Sequence, residues 1–144
     1  MTEMTRQIGF TMYFDKMPSG TAQMKRMNRK TGVFFESEAV KASRMEYTLK
    51  LKKNAPTMPM TKAVCVNVWF RYGTKDKKKQ GSYKTTKPDC DNVVKLLLDC
   101  MTDCGYWKDD AQIVSLGIVK SWARSEQSSI AIDIQERRET NETN

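Results

Sequence analysis

The stretch from Ala63 to Tyr72 constrains the fold of this chain more than any other. Apolar side chains recur there at every second position, namely at Val64, Val66, Val68, Phe70 and Tyr72. A period of two is typical of a β-strand with one buried face. Nearer the start, the same alternation places apolar residues at Ile8, Phe10, Met12 and Phe14. Both stretches are therefore predicted to be half-buried strands.

Two helices are predicted from capping residues and apolar spacing. Ser37 is a suitable N-cap for a helix that runs to about Lys53. A second helix is expected from Asp91 to about Asp103, and Gly105 is placed to end it. One face of this second helix carries a stripe of core residues at Val93, Leu97, Cys100 and Cys104.

Two further strands are expected near Ile113–Trp122 and Ile130–Ile134. The order is then strand, helix, strand, helix, strand, strand. This order predicts a single α+β domain, with a largely antiparallel four-stranded sheet packed with two helices. A chain of 144 residues suits one such domain, predicted over residues 1–136. The polar residues 137–144 are expected to form a disordered tail.

The charge of the chain points to a polyanionic partner. Its formal net charge is +8, an excess typical of proteins that bind nucleic acid. The alternatives are a basic protein without such a partner and, for the lysine-rich run before residue 88, a solvated mobile loop. If the partner is DNA, the candidate backbone contacts are Lys25, Arg26, Arg29, Lys30, Lys77, Lys78, Lys79, Lys84, Lys87 and Lys120.

Residue types that the chain lacks exclude several mechanisms. It has no histidine, so Ser-His-Asp and Cys-His catalysis and histidine zinc sites are excluded. Its four cysteines form no CxxC pair, so we expect small buried thiols and no zinc knuckle. The N-terminus lacks an apolar signal segment, and no apolar run is long enough to span a membrane. We therefore expect a cytoplasmic protein with reduced thiols and no membrane partner.

Acidic residues cluster at both ends of the second predicted helix, although the protein is basic. Asp89 and Asp91 stand at its start, and Asp109 and Asp110 follow its end. Because like charges repel, such crowding indicates a bound cation. Carboxylate oxygens suit a hard cation such as Mg²⁺, which completes its coordination with water and substrate phosphate. This is the chemistry of phosphodiester cleavage.

Each acidic cluster also has a purely structural interpretation. In an extended segment Asp89 and Asp91 point the same way and can face one cation, but Asp91 alone can cap the helix. Asp109 and Asp110 are neighbours, so only one is expected to enter the site, and spacing does not choose between them. They can also form a simple polar turn before the next strand.

Lys95 lies one helical turn after Asp91, on the same face of the predicted helix. Its ammonium group is placed to hold the scissile phosphate or to stabilise the charge that develops on it. The alternative is a surface ion pair that contributes little to stability.

These residues together resemble the RusA family of Holliday junction resolvases. The resemblance rests on K-P-D-C-D-N-V-V-K at 87–95, on L-L-L-D at 96–99, on G-Y-W-K-D-D-A-Q-I-V at 105–114 and on Lys120. It implies a homodimeric, Mg²⁺-dependent endonuclease that resolves four-way DNA junctions by paired symmetric nicks during recombination and repair. Family members are often carried by phages and prophages, so the host cell is expected to be bacterial or phage-infected.

The resemblance also implies roles for individual residues. The catalytic acids of the family fall on Asp89, Asp91 and Asp110, and its essential lysine falls on Lys95. The chain departs from the family pattern at Cys90, between the first two acids, and in the length of its lysine-rich loop. Two other functions fit the same residues: a non-catalytic basic nucleic-acid-binding protein, and a Mg²⁺-dependent nuclease for another branched DNA.

Overall fold

The structure, a computed structural model, describes residues 2–21 and 25–139. Within these ranges the chain forms six strands, two α-helices and one 3₁₀ helix. In chain order they are β1 (Thr2–Phe14), β2 (Lys25–Met27), β3 (Phe34–Glu36), α1 (Glu38–Lys52), β4 (Ala63–Tyr72), α2 (Cys90–Asp103), the 3₁₀ helix (Asp110–Gln112), β5 (Ile113–Trp122) and β6 (Ser128–Glu139).

Four of the strands form one sheet, in the order β1-β6-β4-β5. Strand β6 pairs antiparallel with β1 and β4, whereas β5 pairs parallel with β4. The predicted α+β class is confirmed, and the sheet is mixed rather than all antiparallel. The parallel pair arises because the chain between β4 and β5 crosses over through α2, as two parallel neighbours require.

Both helices cover the same face of the sheet. The alternating apolar residues of β4 and those of β6 form one buried cluster with α1 and α2. Tyr47 and Leu51 of α1 and Leu96 and Leu97 of α2 are fully buried in this cluster. The predicted stripe of α2 is confirmed, since Val93, Leu97 and Cys100 are buried and Cys104 packs against them.

The predicted helix ends agree closely with the structure. The hydroxyl of Ser37 accepts a hydrogen bond from the backbone N–H of Val40 at 3.3 Å, so it caps α1 as expected. Helix α2 begins at Cys90, one residue earlier than predicted. Gly105 follows its C-cap with φ at +83°, a conformation that residues with a Cβ rarely adopt.

Strand β6 is longer than the sequence indicated. It runs from Ser128 to Glu139, so residues 137–139, expected to belong to the tail, pair with the start of β1 instead. Residues 140–144 of the predicted tail lie outside the described residues.

The four basic residues between positions 25 and 30, candidates for DNA contact, are divided between a short strand and the turn that follows it. Lys25 and Arg26 lie on β2, which pairs with β3 in a short antiparallel hairpin. Arg29 and Lys30 lie at its exposed turn. The hairpin also exposes four large apolar side chains, those of Met27, Val33, Phe34 and Phe35.

The four cysteines are free thiols that differ in burial. Cys100 is buried as expected, whereas Cys65, Cys90 and Cys104 are only half-buried. Neither α1 nor α2, the α-helices of the described ranges, is long and apolar enough to cross a bilayer.

Candidate active site

The polar face of α2 carries three charged residues at intervals of one helical turn. Asp91 and Lys95 are exposed, and Asp99 is half-buried near the C-terminal end. Residues four apart are neighbours on a helix surface. The face therefore presents an ammonium group between two carboxylates.

Asp89 occupies the N-cap position of α2 but makes no capping hydrogen bond with its side chain. Asp91 lies in the first turn, so the alternative in which Asp91 is the cap is wrong. The carboxylate of Asp89 instead pairs with the ammonium of Lys87, at 3.0 and 3.1 Å. Neither carboxylate is used to complete the helix, and both lie where the positive end of the helix dipole favours negative charge.

The two neighbouring acids after α2 have different surroundings. The carboxylate of Asp109 accepts a hydrogen bond from the N–H of Ala111 at 2.8 Å, and Gln112 accepts one from the N–H of Asp109 at 2.9 Å. These two bonds form a capping box for the 3₁₀ helix. Asp110 is exposed, and no described residue makes a hydrogen bond or ion pair with its side chain. Asp110 is thus the carboxylate free to bind a ligand.

Asp99 lies near Asp110, and it was not predicted as a site residue. Burial raises the pKa of Asp99, and the charges of Asp110 and Asp103 raise it further, against the opposing effects of Arg44 and Lys95. The two carboxylates at 99 and 110 are therefore close enough to repel each other. The spacing of four residues from Lys95 was the signal in the sequence that places Asp99 on the same face.

The acids offer the oxygen ligands that a hard cation prefers, but their side chains are not grouped closely around one point. Among the described residues, no three acidic or cysteine side chains stand close enough together to hold a metal ion. Repulsion keeps unpaired carboxylates apart, and a cation removes that repulsion. Asp89, Asp91 and Asp110 supply only oxygen ligands, the kind that Mg²⁺ prefers.

The lysine-rich loop lies against β5. Its backbone N–H groups at Gly81 and Lys84 donate to the carbonyls of Trp122 and Lys120, each at 3.0 Å. Lys77 and Lys78 are exposed, and the ammonium of Lys79 lies 5.0 Å from the centroid of the Trp122 ring. The loop therefore presents its lysines from a surface beside the sheet.

Two other lysines proposed as DNA contacts are turned inward. The residue Lys84 is only 9% exposed, and its ammonium lies 4.9 Å from the ring centroid of Tyr72. Lys120 is half-buried, and its ammonium donates to the carbonyls of Thr86 and Pro88. Both ammonium groups are therefore engaged by groups of the protein in this structure.

The fold and the site together define a class of protein. It is a basic α+β domain with carboxylates grouped around one helix, a lysine among them and no histidine base. Those are the components of a metal-dependent phosphodiesterase that acts on nucleic acid.

Comparison with known proteins is more specific. The family model for Endodeoxyribonuclease RusA matches residues 16–135. The chain is also 37% identical over 133 residues to the Crossover junction endodeoxyribonuclease rusA of Lactococcus phage r1t, covering 88% of this chain and 96% of that protein. The chain belongs to the RusA family of endodeoxyribonucleases, as the motif at 87–95 indicated.

Proposed function

We propose that the protein is a Holliday junction resolvase, a metal-dependent endonuclease that nicks four-way DNA junctions symmetrically. Membership of the RusA family supports this proposal, together with the similarity to a phage crossover junction endodeoxyribonuclease over most of both chains. The arrangement of charged residues on α2 and the adjoining 3₁₀ helix is the structural observation that carries it.

The metal in this proposal is Mg²⁺, held by Asp89, Asp91 and Asp110. When bound, such an ion polarises a phosphoryl oxygen and lowers the pKa of a bound water. The side chains of Asp91 and Asp110 accept no hydrogen bond from any described residue, since Asp109 caps the 3₁₀ helix, and Asp89 pairs only with the exposed Lys87.

Lys95 serves the phosphate in this mechanism. It is exposed on the same face as Asp91 and makes no salt bridge with any described residue, so its ammonium is free to contact substrate. A fixed positive charge near the scissile group stabilises the negative charge that develops in the transition state. Lys77, Lys78 and Lys79 bind the DNA backbone from the loop beside β5.

A homodimer supplies the two sites that paired symmetric nicks need. Four-way junctions have two-fold character, and a symmetric dimer presents two equivalent sites to them. The exposed apolar side chains of the β2–β3 hairpin offer surface that association can bury. Light scattering on the purified protein tests this directly, and a monomer that still makes paired nicks would contradict it.

One cleavage experiment tests the function. A labelled four-way junction and a linear duplex of matched sequence are incubated with the protein, with and without Mg²⁺. We expect Mg²⁺-dependent paired nicks in the junction only. Asp91→Asn is the matched variant, since it removes one carboxylate charge and keeps every basic contact, and it should bind the junction without cleaving it. Equal cleavage of the duplex would favour a nuclease for another DNA, and binding without any cleavage would favour a non-catalytic protein.

A further inference from the structure

Two buried or half-buried ammonium groups hold the three residues that precede Asp89. The ammonium of Lys84 donates to the hydroxyl of Thr86 at 2.6 Å and also to the carbonyl of Lys87. The ammonium of Lys120 donates to the carbonyl of Thr86 at 2.8 Å and to that of Pro88 at 2.6 Å. The carbonyls of residues 86, 87 and 88 are thus all bound, although this segment lies in neither a helix nor a strand.

Lys84 is committed to this role by its surroundings. Its ammonium lies 4.9 Å from the ring centroid of Tyr72 and 5.0 Å from that of Trp122. Burying a lysine is costly unless its donors are satisfied, and here the two rings and the oxygens of residues 86 and 87 satisfy them. An ammonium has three donors, and the contacts with Thr86 and Lys87 use them, so none remains for a DNA phosphate.

The held segment leads directly into the acidic motif. Pro88 is followed by Asp89, the N-cap of α2, and Asp91 lies in the first turn of the same helix. The direction in which these carboxylates point depends on how the backbone enters the helix. In metalloproteins, replacing a group that orients a metal ligand typically lowers metal affinity or activity by about 10- to 100-fold.

We propose that Lys84 and Lys120 are positioning residues, whose ammonium groups fix the backbone of residues 86–88 and thereby orient Asp89 and Asp91 for metal binding. This assignment replaces the DNA-contact role that the sequence suggested for both lysines. It rests on the metal-binding function proposed above for the two acids. It extends that function by making part of the basic loop a support for the acidic site.

The test compares Lys84→Met and Lys120→Met with the wild-type protein. Methionine keeps most of the length and the apolar packing of lysine but donates no hydrogen bond. Lys50→Met is the matched control, because Lys50 also lies over a ring, 5.0 Å from the centroid of Phe14, but belongs to α1. Three quantities are measured: Mn²⁺ affinity by electron paramagnetic resonance, junction affinity without metal across a salt series, and single-turnover cleavage with Mg²⁺.

For the two positioning variants we expect Mn²⁺ affinity and cleavage to fall by about 10- to 100-fold. Junction affinity and its salt dependence should stay within about twofold of wild type, and Lys50→Met should change none of the three. A DNA-contact role predicts the opposite pattern, with weaker junction binding and a salt slope lower by about one for each lysine. That pattern would overturn the proposal, and so would unchanged Mn²⁺ affinity.

The same measurements separate this proposal from the proposed function. Wild-type protein that binds Mn²⁺ but cleaves no junction would contradict the proposed function, while Mn²⁺ affinity still decides the role of the lysines. If Lys84→Met does not fold, as its thermal unfolding would show, the half-buried Lys120→Met decides the question. Lys120→Arg keeps a donor near the same carbonyls and should recover Mn²⁺ affinity in part.

Discussion

At the scale of single residues, Asp109 and Asp110 show how neighbouring carboxylates take different tasks. Asp109 is used by the fold, because its carboxylate caps the 3₁₀ helix through the N–H of Ala111. Asp110 is exposed in the first turn of that helix, and its charge acts on Asp99 of α2. Their different environments follow from the cap, whereas the sequence analysis had relied on the alternation of an extended chain.

This difference predicts unequal effects of the same substitution. Asp109→Asn should keep cleavage near the wild-type rate, because asparagine is about as good an N-cap as aspartate. Asp110→Asn should abolish cleavage and leave junction binding intact, because it removes a metal-binding charge but no basic contact. Single-turnover rates of the two variants, measured side by side, check this. A larger loss from Asp109→Asn would show that the ligand has been assigned to the wrong neighbour.

At the scale of elements, a buried carboxylate on β6 joins the sheet to the connection before β4. Glu136 accepts hydrogen bonds from Thr5 and Arg6 on β1 and from the N–H groups of Thr61 and Lys62. Burial alone would raise the pKa of Glu136, but the bonds from Arg6, Thr61, Thr5 and Lys62 outweigh it and lower the pKa to about 2. The burial of Glu136 could not be predicted from the sequence, because an acid in a polar segment is usually exposed to solvent.

The depressed pKa makes stability depend on pH in a defined window. A carboxylate with a lower pKa in the folded state stabilises the protein at pH values above 4.5, the ordinary pKa of the group. This stabilisation is lost as the pH falls towards 2. Its size is about 3 kcal/mol at neutral pH. Glu136→Gln should therefore lower the free energy of unfolding at pH 7 and flatten its dependence between pH 4.5 and 2.

Urea unfolding across this pH range measures the effect. Glu139→Gln is the matched control, since Glu139 is exposed on the same strand. The control variant should follow the wild-type curve. Parallel pH curves for wild type and Glu136→Gln would show that Glu136 is not the carboxylate responsible.

At the scale of the whole molecule, positive charge has two separate uses. Some lysines face solvent, as Lys77 and Lys78 do, whereas Lys84 and Lys120 donate to backbone carbonyls just before the acidic motif. The net charge of +8 therefore includes lysines that are engaged within the fold and are not placed to contact a DNA backbone.

Replacing Lys77, Lys78 and Lys79 together by alanine should weaken junction binding and flatten its salt dependence. Each lost phosphate contact lowers the slope by about 0.9 on a double-logarithmic plot. Cleavage of the saturated complex should change little, because the acidic site is untouched. Replacing Lys50, Lys52 and Lys53 of the α1 region removes the same net charge, so an equal loss in that control would mean that overall charge, and not this loop, sets the affinity.

The sequence predicted what depends on neighbours along the chain and missed what depends on distant ones. Alternation identified β4 and its buried face, and capping signals identified α1, because both are local properties. Alternation does not say which strand lies beside which, so the parallel pairing of β5 with β4 was not predicted. In the candidate site the acidic motif was visible, but the burial of Lys84 depends on Trp122, which comes from a strand much later in the chain.

The central place of β6 in the sheet affects the order in which the fold can form. Within the described sheet, β1 and β4 are joined through β6, which follows both along the chain and whose isoleucines are buried in the core. A chain still being made on the ribosome therefore lacks the strand that would unite its two halves, and non-local pairing of this kind completes folding late. The acids on α2 are translated well before β6, whose isoleucines complete the core cluster that α2 shares. We therefore expect the complete four-stranded sheet to form only after residues 128–139 have been translated.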